Sequence, residues 1–93
     1  MRKRGRKDGN QDEIKEAIVK AGGFFRSIAN MGDGYPDAIV AYHGRLFLME
    51  FKSGDEDLTP KEDKWIGECE RVGGVAVHIV RGVDDALRTL GAI

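Results

Sequence analysis

The chain has 93 residues, 33% charged and 41% hydrophobic, with a formal net charge of −1 and a single cysteine. That length suits one domain with a modest core, and the composition is that of a soluble globular protein. No apolar run approaches membrane length, the basic start lacks the apolar segment of a secretory signal, and the lone Cys69 excludes an intrachain disulfide, so a cytoplasmic protein without membrane association is expected.

The charge is unevenly placed. Arg2, Lys3, Arg4, Arg6 and Lys7 are five of the 15 basic residues, which leaves 10 basic against 16 acidic residues over 8–93. Residues 1–9 therefore read as a basic arm and 10–93 as a single acidic domain. Such an arm neutralises phosphates without reading sequence, and it serves equally well as a solvated tail.

Asn10 starts the first predicted helix, with Glu13 three residues on as in a capping box and Gly22-Gly23 as the stop. Ile14, Ala17, Ile18 and Ala21 form its apolar stripe. Asp12 and Glu16 project away from the stripe, whereas Glu13 borders it and is the one acid able to lean toward a site on the sheet. An acid in the first turn also complements the helix dipole, which is the simpler reading of Glu13 from the helix alone. Residues 24–28 read as a strand. The segment 29–34, with Gly32 and Gly34, reads as a flexible approach in which Asp33 is a turn residue.

Residues 35–52 then read as two strands joined at His43-Gly44. With a two-residue loop Tyr42 opposes Arg45, and the same register sets Asp37 opposite Glu50. Alternation puts Glu50 and Lys52 on one face of the second strand. Two carboxylates facing each other about 5 Å apart are destabilising, and one lysine offsets only one of them. A divalent cation resolves the conflict. Mg²⁺ takes one or two carboxylates and completes its shell with water and phosphate oxygens, a composition suited to phosphodiester hydrolysis. The competing reading is an amphipathic hairpin with a solvated Glu50–Lys52 pair and Pro36-Asp37 as a simple turn.

The acidic loop after Lys52 reads as a solvated turn, since its spacing lacks the EF-hand pattern. Thr59, Pro60 and Glu62 mark a second helix as cap, first position and third position, and Trp65, Ile66, Cys69 and Val72 form its stripe before Gly73-Gly74. Lys61 and Lys64 are candidates for nucleic-acid backbone contact, although exposed helix lysines are more often merely solvated. Cys69 reads as core. The run 75–80 reads as an interior strand in which His78 is packed, and His43 is likewise structural. Val83, Ala86, Leu87 and Leu90 mark a last helix closed by Gly91. The expected fold class is α/β: a mixed four-stranded sheet flanked by helices, in the order αβββαβ plus a C-terminal helix, with a meander and a helical crossover.

Pro36-Asp37 followed by Glu50-Phe51-Lys52 after a hairpin resembles the PD-(D/E)XK nuclease superfamily, whose core is restriction-endonuclease-like. The segment from Gly34 to Val40, the Leu58-Thr59-Pro60 helix start and the closing glycine turn with its apolar strand are similar to the small stand-alone VRR-NUC proteins of phages and bacteria. The resemblance implies that Asp37, Glu50 and the Phe51 backbone carbonyl hold Mg²⁺ or Mn²⁺, that Lys52 orients the attacking water or stabilises developing charge, and that Glu13 is the upstream helical acid. It also implies a homodimer acting on branched DNA such as Holliday junctions. Many relatives carry Gln where this chain has Glu62, which leaves the part of Glu62 in the chemistry open. The expected function is a metal-dependent DNA endonuclease whose basic arm touches DNA. The rival is a non-catalytic nucleic-acid-binding module on an inactive nuclease scaffold.

Overall fold

A computed structural model describes residues 10–93. The arm residues Arg2, Lys3, Arg4, Arg6 and Lys7, and with them the 1–9 boundary, lie outside the described residues. The order is α1 (Gln11–Lys20), β1 (Phe24–Ser27), β2 (Ala38–Tyr42), β3 (Arg45–Phe51), α2 (Pro60–Arg71), β4 (Val77–Val80) and α3 (Val83–Leu90), with a 3-10 turn at Ala29–Met31. The four strands form one mixed sheet in the order β1-β2-β3-β4. β1, β2 and β3 run antiparallel as a meander, and β4 returns parallel to β3 after α2. No helix among the described residues is long and apolar enough to cross a membrane.

The hairpin has the expected register. Tyr42 opposes Arg45 and Ala38 opposes Met49, while His43 at φ 48° and Gly44 at φ 78° supply the two positive φ values of a type I′ turn. One sheet face carries Phe25, Val40, Phe47, Met49, Phe51 and Val80, which pack with Ile14 and Ile18 of α1 and with Ala86 and Leu90 of α3 into the core. Burying these side chains is the main force holding the layers together, at roughly 1.5–3 kcal/mol for each large aliphatic or aromatic residue. The His78 and Phe47 ring centroids lie 5.8 Å apart.

Four expectations are corrected. Asn10 does not cap α1 through its side chain: its backbone is already near helical, at φ −99° and ψ 0°, and its Nδ2 instead donates to the Arg81 carbonyl at 3.2 Å. The capping box with Glu13 is therefore absent. The approach to the hairpin is not wholly irregular, since the 3-10 turn takes up Ala29–Met31. β4 is an edge strand rather than an interior one; its apolar run reflects contact with both α2 and α3, which makes both faces apolar without a central position. In α2 only Ile66 is buried, and Val72 is 79% exposed. α2 meets the sheet chiefly at β4, so the later turns of its stripe, including half-buried Cys69, are left partly uncovered.

Candidate active site

Alternation along β3 sends Phe47, Met49 and Phe51 into the core and Glu50 and Lys52 to the opposite face. Phe51 is fully buried and stacks on Phe25 with ring centroids 6.0 Å apart. This anchors the backbone between the two ionisable residues, so their direction is set by core packing.

Asp37 stands just before β2. Its N–H donates to the Met49 carbonyl at 3.0 Å and its carbonyl accepts from Ile28 N–H at 2.8 Å. Its Oδ2 accepts from Phe51 N–H at 2.8 Å. The carboxylate thus takes a backbone donor from the residue that separates Glu50 and Lys52. Burial raises the Asp37 pKa, the Phe51 N–H opposes this, and the net direction is upward.

Glu50 is 2% exposed, and its Oε1 is buried without a hydrogen-bond partner. Burial first, and then the neighbouring Asp37 and Glu62 carboxylates, push its pKa up to about 9, with Lys52 only partly opposing them. Two acids forced together in a dry place therefore favour a shared proton, or a cation, over two bare charges.

Lys52 is 5% exposed. Its Nζ lies 2.8 Å from Glu62 Oε1 and 3.7 Å from Glu50 Oε2. Burial pulls its pKa down, but Glu62 and then Glu50 more than reverse this, so the ammonium stays charged. Glu62 is the third residue of α2. Its Oε1 accepts from Thr59 N–H at 2.8 Å while its own N–H donates to Thr59 Oγ1 at 3.2 Å, which completes the capping box. Burial raises its pKa, but Lys52 and the Thr59 N–H outweigh that and hold it below the usual carboxylate value.

The two sides of the site are drawn together at Gly34. This residue sits at φ 79°, and a Cβ there would collide with the Lys61 carbonyl in the first turn of α2. Beside it the Tyr35 and Trp65 rings lie 5.5 Å apart. On the other flank Arg81 Nη1 donates to the carbonyls of Gly54 and Glu56, both at 2.9 Å, and its backbone N–H donates to Asp85 Oδ2. That guanidinium secures the loop between Lys52 and α2.

Of the sequence candidates, Asp37, Glu50 and Lys52 come together, with Phe51 between the last two. Glu13 does not join them. It is exposed in a cleft with Arg81, Asp84, Asp85 and Arg88. The physical reason is that α1 packs along α3 and its start is bonded to the end of β4, which turns the first turn toward that junction. Lys61 is exposed and pairs with Asp33 at 3.6 Å, and Lys64 lines a shallow cleft with the same two residues. Glu62 and Arg81 are the site residues that sequence reasoning did not place. The Thr59-Pro60-Lys61-Glu62 spacing was the available signal for Glu62; Arg81 carried none.

Among the described residues no three His, Cys, Asp or Glu side chains are arranged to hold a metal ion. Asp37 and Glu50 would offer two carboxylates, the number that suffices for a hard, oxygen-seeking cation that retains its waters. Glu50 Oε1, buried and without a partner, is the atom that such a cation would satisfy. Comparison with family models, with curated proteins and with solved structures found no match for this chain.

Proposed function

We propose that the chain is a Mg²⁺- or Mn²⁺-dependent DNA endonuclease with a PD-(D/E)XK, restriction-endonuclease-like core of the VRR-NUC type. The observation that carries this reading is the partnerless, buried Glu50 oxygen set against Asp37, with a charged Lys52 beside it. Asp37, Glu50 and the Phe51 carbonyl would hold the cation. Bound there, it would activate water and offset charge on the scissile phosphate. Lys52 supplies an ammonium that stays protonated despite burial, so its part is to orient water or donate to a phosphate oxygen, not to accept a proton. Asp37 accepts from the Phe51 N–H, so a carboxylate that swung away would leave that N–H without its partner.

The acidic body repels DNA at long range, and the basic arm supplies the compensating attraction. Cutting both strands of a duplex or a junction needs two such sites, which a symmetric homodimer provides. The apolar side chains just past the end of α2, Val72 at 79% and Val75 at 50% exposure, support that assembly. Branched DNA as substrate and a cytoplasmic setting in a bacterium or an infected host belong to the same reading.

The test is cleavage of linear, flapped and four-way DNA in Mg²⁺ and in Mn²⁺. Wild type cuts at least one substrate and folded Glu50→Ala cuts none. DNA binding without cleavage in any divalent metal would favour the non-catalytic module.

A further inference from the structure

We propose that Glu62 is a positioning residue: by holding the Lys52 ammonium 2.8 Å from its own Oε1, it keeps that ammonium off Glu50 and leaves a Glu50 oxygen open for the cation. The inference rests on the nuclease reading and adds a residue to it.

Lys52 has two carboxylates within reach. It is at hydrogen-bonding distance from Glu62 and, at 3.7 Å, outside that distance from Glu50. A buried ammonium stripped of Glu62 would have Glu50 as its remaining ion-pair partner among the described residues. An unpaired buried charge is costly, so it would close on Glu50 and compete with the cation for the same carboxylate. Glu62 itself is held by the backbone. The oxygen that takes Lys52 also takes Thr59 N–H, and Glu62 N–H is bonded to Thr59 Oγ1 in return. Pro60 stiffens the same turn. The start of α2 is thus a bracket that sets where the lysine rests, in the way that partners behind metal ligands set the ligands.

The experiment measures Mn²⁺ affinity by calorimetry and single-turnover DNA cleavage for wild type, Glu62→Ala, Glu62→Gln, Thr59→Ala and the double variant Glu62→Ala with Lys52→Met. Glu62→Ala is expected to weaken Mn²⁺ binding roughly 10-fold or more. Glu62→Gln keeps an acceptor oxygen for both partners and loses less, and it stands in should Glu62→Ala fail to fold. Thr59→Ala removes one of the two bonds that hold Glu62 yet keeps the ion pair, so its Mn²⁺ affinity falls by less than that of Glu62→Ala. The double variant recovers affinity, because the competing ammonium is gone, and remains inactive. Wild-type Mn²⁺ affinity in both Glu62 variants, or no recovery in the double variant, overturns this proposal alone. A wild type that binds no Mn²⁺ overturns the nuclease reading and this proposal with it.

Discussion

The carboxylate of Asp37 accepts the backbone N–H of Phe51 at 2.8 Å, so an acid from the mouth of one strand is tied to the residue that separates Glu50 from Lys52 in the next. Asp37→Asn keeps an acceptor oxygen for that N–H and is expected to stay folded. On the nuclease reading it would lose a ligand charge, and cleavage is expected to fall roughly 100-fold or more. Asp37→Ala leaves the Phe51 N–H without its partner and costs about 1–3 kcal/mol of stability as well. Urea unfolding beside cleavage rates separates the two effects.

Glu50 gives the metal-free protein a pH dependence of definite sign. Its folded pKa, about 9, is above its ordinary value of 4.5, so between those limits the folded state binds more protons than the unfolded state. Stability from this group is full below about pH 4.5 and is lost as pH rises through about 9, and the upward shift of Asp37 acts in the same direction. Melting temperatures without metal are expected to fall over that window. Mg²⁺ or Mn²⁺ is expected to raise them, more so at the alkaline end. Glu50→Gln should flatten the profile and raise the metal-free melting temperature, by roughly 4–8 °C for each kcal/mol gained. A metal-free profile that rises through the window contradicts the electrostatics described here.

Gly34 and Gly44 both sit at positive φ, near 79° and 78°, yet they differ in surroundings: a Cβ at Gly44 meets nothing within 4 Å, while one at Gly34 strikes the Lys61 carbonyl. Both alanine substitutions carry the left-handed penalty of about 1–2 kcal/mol. Gly34→Ala also pushes the first turn of α2 away from the site, so its cleavage rate is expected to fall while that of Gly44→Ala stays near wild type. Measuring kcat with melting curves for both variants checks this. Equal activities at equal stabilities would mean that the approach at Gly34 does not shape the site.

Val72 offers the most exposed large apolar side chain in the described residues. If α2 carries the dimer contact, Val72→Asp should convert a dimer to a monomer in multi-angle light scattering without lowering the melting temperature of the monomer. A mass that does not change with the substitution removes this face from the assembly.

The parts of the fold that are legible in the sequence are those set by local chemistry. His43-Gly44 specifies a two-residue turn, and that turn fixes the register that delivers Asp37 and Glu50 to one end of the sheet. Thr59, Pro60 and Glu62 specify a helix start in the same direct way. What is not legible depends on distant partners. Asn10 looks like a cap, but its amide is taken by the carbonyl of Arg81, 71 residues away. The α2 stripe has helical spacing along its whole length, and spacing alone does not tell that Val72 lies beyond the sheet. The apolar run of β4 reads as interior because contact with two helices and a central place in a sheet leave the same pattern. Glu62 was visible as a cap; its second bond, to Lys52, emerges only when the loop pinned by Arg81 folds the helix start back over β3.

Crystals of the protein saturated with Mn²⁺, measured at a wavelength where manganese scatters anomalously, test the central claim most directly. An anomalous peak bounded by the Asp37 and Glu50 carboxylates and the Phe51 carbonyl, absent from Glu50→Gln crystals, is the predicted result. Saturated crystals that show no peak there, or a peak only elsewhere on the molecule, would contradict it.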